Sequence, residues 1–156
     1  MREYVADHGQ PIDRSDIEHV TIASRSVAVS TELSESEREF GGDAIRATGP
    51  VAQACFHNSI ELWEYDRRFK FTEGFAAHDE FDIGGFEHAW CMLDGEKLVD
   101  VTTTFDDYYG VVIGGDTIRR HTSEENRSYG VIGNHRNRFK LLRERGYMEE
   151  AAAGQN

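Results

Sequence analysis

The sequence predicts an α+β fold in which a helix carrying a cysteine packs on an antiparallel sheet. Two observations and one packing rule lead there. Behind Cys55, the apolar residues Phe56, Ile60 and Trp63 recur at helical spacing, with Leu62 beside them. Downstream, residues 69–113 break into short β-rich runs separated by turn residues. A helix followed by consecutive antiparallel strands segregates helices to one face of a sheet.

At 156 residues the chain suits one domain, with residues 1–49 as an arm, strand and connector packing on a core of 50–150. With 38% hydrophobic and 11% aromatic residues it can build a core without disulfide staples. No run approaches the roughly 18 apolar residues of a membrane helix. The opening MREYVADHGQ lacks the apolar stretch of a secretory signal. Both point to a cytoplasmic protein with no membrane partner. Asp and Glu number 29 against 17 Lys and Arg, a net charge of −12. Nucleic acid is excluded as the main partner, because phosphate contacts need a basic stripe and the only basic concentration is 136–145. Arg outnumbers Lys 14 to 3. Acidity with scarce Lys resembles the proteins of halophilic archaea and their viruses, whose hydrated, self-repelling surface concentrated salt screens.

Element by element, residues 1–16 read as a loosely attached polar arm. EHVTIASRSVAVS (18–30) alternates and is β-branched, so it reads as one strand. TELSESEREF (31–40) reads as a short helix, with Ser34 and Glu37 as a capping box and Gly41-Gly42 as its stop. Residues 43–50 form a connector, and Pro50 opens the first turn of the cysteine helix. Strands follow at 69–77, 87–93, 96–102 and 108–113. A short helix lies within 115–128, an extended piece at 129–133, and a terminal helix at 135–145 closed by Gly146. The last residues, EEAAAGQN, are expected to fray.

Three residues carry a chemistry: Cys55 early in its helix, His88 in GFEHAWCM and Asp100 in KLVDVT. A thiol must lose its proton to attack a carbonyl. A histidine beside it accepts that proton, and a carboxylate behind fixes the ring. A helix N-terminus also favours a thiolate. The hairpin sets a condition on this arrangement. A two-residue Asp94-Gly95 loop would point Asp100 away from His88. A three-residue Leu93-Asp94-Gly95 loop pairs Met92 with Glu96 and sets His88 across from Asp100, with Cβ atoms roughly 5 Å apart. His88, Trp90, Met92, Leu98 and Asp100 then share one face. Ala89, Cys91, Leu93, Val99 and Val101 share the other, which makes Cys91 a buried hydrophobe rather than a nucleophile or disulfide partner. Metal is not expected. Cys55, His57, His88 and Cys91 contain the right residue types, but their spacing matches no zinc ribbon or finger.

These residues resemble the transglutaminase-like cysteine superfamily in its small stand-alone prokaryotic and viral form. Cys55 heads a helix, His88-Ala89-Trp90 lies on a strand, and Asp100-Val101-Thr102 follows a glycine turn. FTEGFAA (71–77) is similar to the strand between cysteine and histidine, and Tyr109-Gly110-Val111 to the segment after the aspartate. Gln53-Ala54-Cys55 stands where W-x-C or G-x-C is usual, and Val101 where the family has proline. The resemblance covers about 50–113. It implies a papain-like core and a cysteine hydrolase or acyltransferase that forms a thioester on an amide or peptide bond, with no cofactor. Its substrate would be a peptide, a protein or a small amide. The Cys55 N–H would meet the oxyanion together with Gln53 or Asn58. Trp90, Glu73 and Tyr109 would line the cleft. The alternative is a non-catalytic binding or structural protein, viral in origin, that kept the fold.

Overall fold

The computed structural model describes residues 1–79 and 85–149. It is a mixed α+β structure built on one antiparallel sheet of seven strands. Among the described residues no helix is long and apolar enough to cross a membrane.

The N-terminal residues are not a loose arm. Helix α1 (Arg2–His8) buries Tyr4 and Val5, and β1 (Gln10–Ile12) pairs with a later strand. Two apolar residues in a polar helix are too weak a periodic signal to read. Residues 18–30 are not one strand but a hairpin of β2 (Ile17–Ile22) and β3 (Arg25–Ser30). Its two-residue turn holds Ala23 and Ser24 at φ of 50° and 63°. That is the left-handed pair such turns need, here without the Gly or Asn that normally signals it.

The capping box at Ser34 and Glu37 is present and opens α2 (Glu35–Thr48). Gly41-Gly42 does not stop this helix, which runs on through the expected connector to a left-handed Gly49. The small residue at 42 serves packing: a Cβ there would stand 3.4 Å from the Ile22 side chain of β2. Pro50 is not in the next helix's first turn, because α3 (Cys55–Tyr65) begins five residues later.

Four strands complete the sheet: β4 (Phe69–Ala77), β5 (Phe86–Leu93), β6 (Lys97–Asp100) and β7 (Asp107–Val112). All lie where the alternation places them. Helix α4 (Gly115–His121) follows. Residues 129–133 form no strand, and the terminal helix shrinks to α5 (Lys140–Glu144). The fraying expected of the last residues falls, from 150 onward, outside the described residues.

The strand order is β1-β7-β4-β5-β6-β3-β2. Helices cover one face. Ile60, Trp63, Ile118, Leu141 and Leu142 pack with Phe71 and Ala89, and Leu62 and Ile45 pack with Phe69, Cys91, Leu93 and Val99. The other face must curve inward. Six strand-to-strand steps would set the edge strands about 29 Å apart if the sheet were flat. The five peptide links from Ile12 to Ile17 reach at most about 18 Å. The edges therefore turn toward each other, and Ile12 and Ile17 meet in one cluster with Ala28, Trp90, Leu98, Phe105 and Tyr108.

Candidate active site

The β5–β6 turn decides which side chains meet. Leu93 pairs with Lys97 and Met92 with Leu98, so the three-residue loop is Asp94-Gly95-Glu96, one residue later than expected. Asp94 and Gly95 both take positive φ, 56° and 77°, and the Asp94 N–H donates to Arg68 O at 2.7 Å. This contact with the start of β4 is a tertiary bond that no local turn rule contains. Continuing the register sets Asp100 across from Trp90, not His88. The shift is two residues, so the parity is kept and both side chains stay on the inner face. They meet on the diagonal, where side chains of this length reach.

There His88 Nε2 donates to Asp100 Oδ2 at 2.7 Å. The Tyr108 hydroxyl donates to the same oxygen at 2.8 Å, and the backbone N–H groups of Thr102 and Thr103 donate to Oδ1 at 3.0 and 3.3 Å. Asp100 is fully buried, so these four donors replace its water. His88 is nearly buried, stacked on Trp90 and met edge-on by Phe105. Burial pulls its pKa down, but the Asp100 charge and hydrogen bond and the neighbouring Cys55 thiol outweigh it and push it up to about 9. The Cys55 thiol is a near neighbour of His88, close enough to help raise the ring's pKa. With Nε2 committed to Asp100, Nδ1 is the ring nitrogen left to face the sulfur.

Cys55 owes its place to a clamp at the head of α3. Asn58 accepts from Val51 N at 2.9 Å and donates to Val51 O and to Thr102 Oγ1, each at 2.8 Å. Arg25 donates to both Val101 O and Pro50 O. The segment before Cys55 is thus tied to the strand end that carries Asp100. As the first residue of α3, Cys55 has an N–H without an intrahelical acceptor.

The structure brings Cys55, His88 and Asp100 together and distributes the other candidates differently. Asn58 has both amide hydrogens committed to the clamp, which removes it as an oxyanion donor. Gln53 is exposed at φ 62°, two residues before the sulfur. Trp90 is buried behind the His88 ring, and the pocket it borders is lined by none of Cys55, His88 and Asp100. Glu73 is also fully buried, on the opposite face of the sheet from His88, beside Ala89. It accepts from the N–H groups of Val131, Ile132 and Gly133 at 2.7, 3.0 and 2.7 Å. Burial pushes its carboxyl up to about 7, although those three bonds pull it down. Tyr109 points away, with its hydroxyl on Ala6 O. Its neighbour Tyr108 is the tyrosine of the site, and sequence reading missed it. Pairing of Ala76 with Tyr108 and of Gly74 with His88 puts both on the inner face. That parity can be counted only once the β4–β7 register is known.

Compared with protein-family models, curated proteins and solved structures, the chain matches none. The site therefore speaks through its own geometry. Cys91, the second thiol, is fully buried and donates to Ser59 O at 3.4 Å. Burial pushes its pKa up, so it is inert beside the half-buried Cys55. His57 stands half-exposed near Glu61. Among the described residues no three potential ligands converge on a metal position.

Proposed function

We propose that the protein is a cysteine-dependent hydrolase or acyltransferase acting on amide or peptide bonds. The observation that carries the reading is His88 held between a buried, four-fold hydrogen-bonded Asp100 and the Cys55 thiol. Cys55 attacks the carbonyl carbon as a thiolate paired with the His88 imidazolium, which holds the proton the thiol gives up. The oxyanion is met by the free Cys55 N–H, with Gln53 the nearest candidate side chain in the sequence. His88 returns the proton to the leaving amine, and a thioester remains on Cys55. Water or a second amine then attacks the thioester while His88 takes its proton, and the thiolate leaves. The resemblance to the transglutaminase-like superfamily, with its papain-like core, agrees with this order of residues. Val51 and Phe86 stand exposed on the segments leading into Cys55 and His88, which suits an apolar side chain next to the attacked amide.

The test is intact-mass detection of adducts from electrophilic peptide amides, with Cys55→Ala and His88→Ala as controls. One adduct is expected, on Cys55, forming at least about tenfold slower in His88→Ala. Absence of adduct, or a rate that ignores His88, leaves only a binding protein with this fold.

A further inference from the structure

The C-terminal end of α3 borders a cavity that the thiol chemistry does not use. Its volume is about 570 Å³, within the range of small-molecule sites. Arg67, Lys70 and Arg119 line it together with Trp63, Val112 and Gly115. Among the described residues no Asp or Glu lines it. In a chain of 29 acidic and 17 basic residues, that is a local reversal of sign. Cys55 stands at the opposite end of the same helix. Two independent features mark what the cavity would hold.

The first is the way two guanidinium groups are held in place. Arg67 lies 3.7 Å from the centroid of the Trp63 ring, and its Nη1 donates to Trp63 O at 2.9 Å. Arg119 lies over the same indole at 5.7 Å. Trp63 is buried in the core, so the ring is a fixed platform. Glycine at 115 lets the three groups meet. Helical side chains lean toward the N-terminus, which lays Arg119 back over residue 115. A Cβ there would stand 3.1 Å from Trp63 Cζ2 and 3.4 Å from Arg119 Nη1. A stacked, pre-set guanidinium loses less freedom when it takes up a carboxylate or phosphate, whose geometry its fork matches. The second feature is charge left without a partner. Arg67 and half-buried Lys70 form no ion pair among the described residues. The Asp94 carboxylate that feels Lys70 is held at both oxygens by Arg68. Arg119 gives Nη2 to Asp116 at 2.7 Å and keeps Nη1 beside Gly115, on the cavity wall. Like charges around a recess with low-dielectric walls focus a positive potential into it.

We propose that this cavity binds a small organic anion, a carboxylate or phosphate joined to an apolar group. The anionic head sits among Arg67, Lys70 and Arg119. The apolar group lies along exposed Val112, which forms a wall of the same cavity. The inference goes beyond the thiol chemistry and does not depend on it.

The probes are phenyl phosphate and phenylacetate, titrated into ¹⁵N-labelled protein while the indole N–H resonances of Trp63 and Trp90 are followed. A saturable shift of the Trp63 resonance is expected with at least one of them, with Trp90 unmoved. The tighter of the two identifies the head group. Benzyl alcohol, which lacks the charge, and inorganic phosphate, which lacks the apolar group, should each bind at least about tenfold more weakly, a factor worth 1.4 kcal/mol. Lys70→Gln combined with Arg119→Gln, with folding checked by the dispersion of the spectrum, should weaken the better anion by at least the same factor. Cys55→Ala should bind as well as the parent, so failure of the thiol chemistry and failure of this site are distinguishable. No saturable Trp63 shift with either anion, equal binding of benzyl alcohol, or undiminished affinity in the folded double variant overturns the proposal. Equal affinity for inorganic phosphate overturns the part given to the apolar group.

Discussion

At the scale of single residues, His88 is pulled in two directions. Burial favours the neutral ring; the Asp100 charge and hydrogen bond, with the Cys55 thiol, favour the imidazolium and win, setting the pKa near 9 against an ordinary 6.5. A histidine whose pKa is raised by folding adds stability that is whole below pH 6.5 and is lost as pH rises through about 9. Asp100→Asn removes the charge and leaves burial opposed only by Cys55. The His88 pKa, read by NMR titration of the ring nitrogens, should then fall to 6.5 or lower. Alkylation of Cys55 at neutral pH should slow at least about tenfold, since one pKa unit is 1.36 kcal/mol. A ring that still titrates near 9 in the variant would remove Asp100 from the role given to it here.

Among elements, two carry tests of their own. Gly41 lies inside α2, and a Cβ built there meets nothing within 4 Å. Glycine in a helix interior costs about 0.5–1 kcal/mol relative to alanine. Gly41→Ala should raise stability by that amount in urea unfolding; a loss would mean the helix needs glycine there for a reason its packing does not show. The other element is the segment 130–133, held to the sheet by Glu73. A Gln at 73 keeps the size but offers one acceptor oxygen to three N–H groups, and leaving one of them unpaired costs roughly 1–3 kcal/mol. The pH dependence has a definite sign. The unfolded carboxyl ionises near 4.5, whereas the buried one holds its proton to about 7. Stability owed to Glu73 is therefore full below pH 4.5 and declines as pH rises to about 7. The deficit of Glu73→Gln should be largest at pH 4.5 and shrink toward pH 7, in urea unfolding at the two values. Equal deficits would mean that Glu73 is ionised throughout.

Over the whole molecule, local pattern and tertiary contact divide what the sequence discloses. The β4, β5 and β7 strands and the α3 helix were legible because each has its own periodicity, and the Ser34–Glu37 box because capping is local. The Ala23-Ser24 turn, the run of α2 through two glycines and the β5–β6 register were not. The last two involve partners distant in sequence: Ile22 beside Gly42, and Arg68 O for the Asp94 N–H. The site survived the register error because a two-residue shift preserves the face, while Tyr108 stayed hidden behind a pairing no single strand reveals. Net charge is legible in full and acts on the molecule as a unit. Pairing every Lys and Arg would still leave 12 carboxylates unmatched. Exposed ion pairs such as Arg68–Asp94 are each worth about 0–1 kcal/mol and weaken in salt. Repulsion among the unmatched carboxylates weakens too, because the Debye length falls from about 10 Å at 0.1 M to about 3 Å at 1 M. The excess of one sign makes the second effect the larger. Melting temperature should therefore climb with sodium chloride between those concentrations, by about 2–4 °C for each kcal/mol of repulsion removed. A flat or falling melting temperature would mean that the ion pairs, not the acidic excess, govern the stability of the surface.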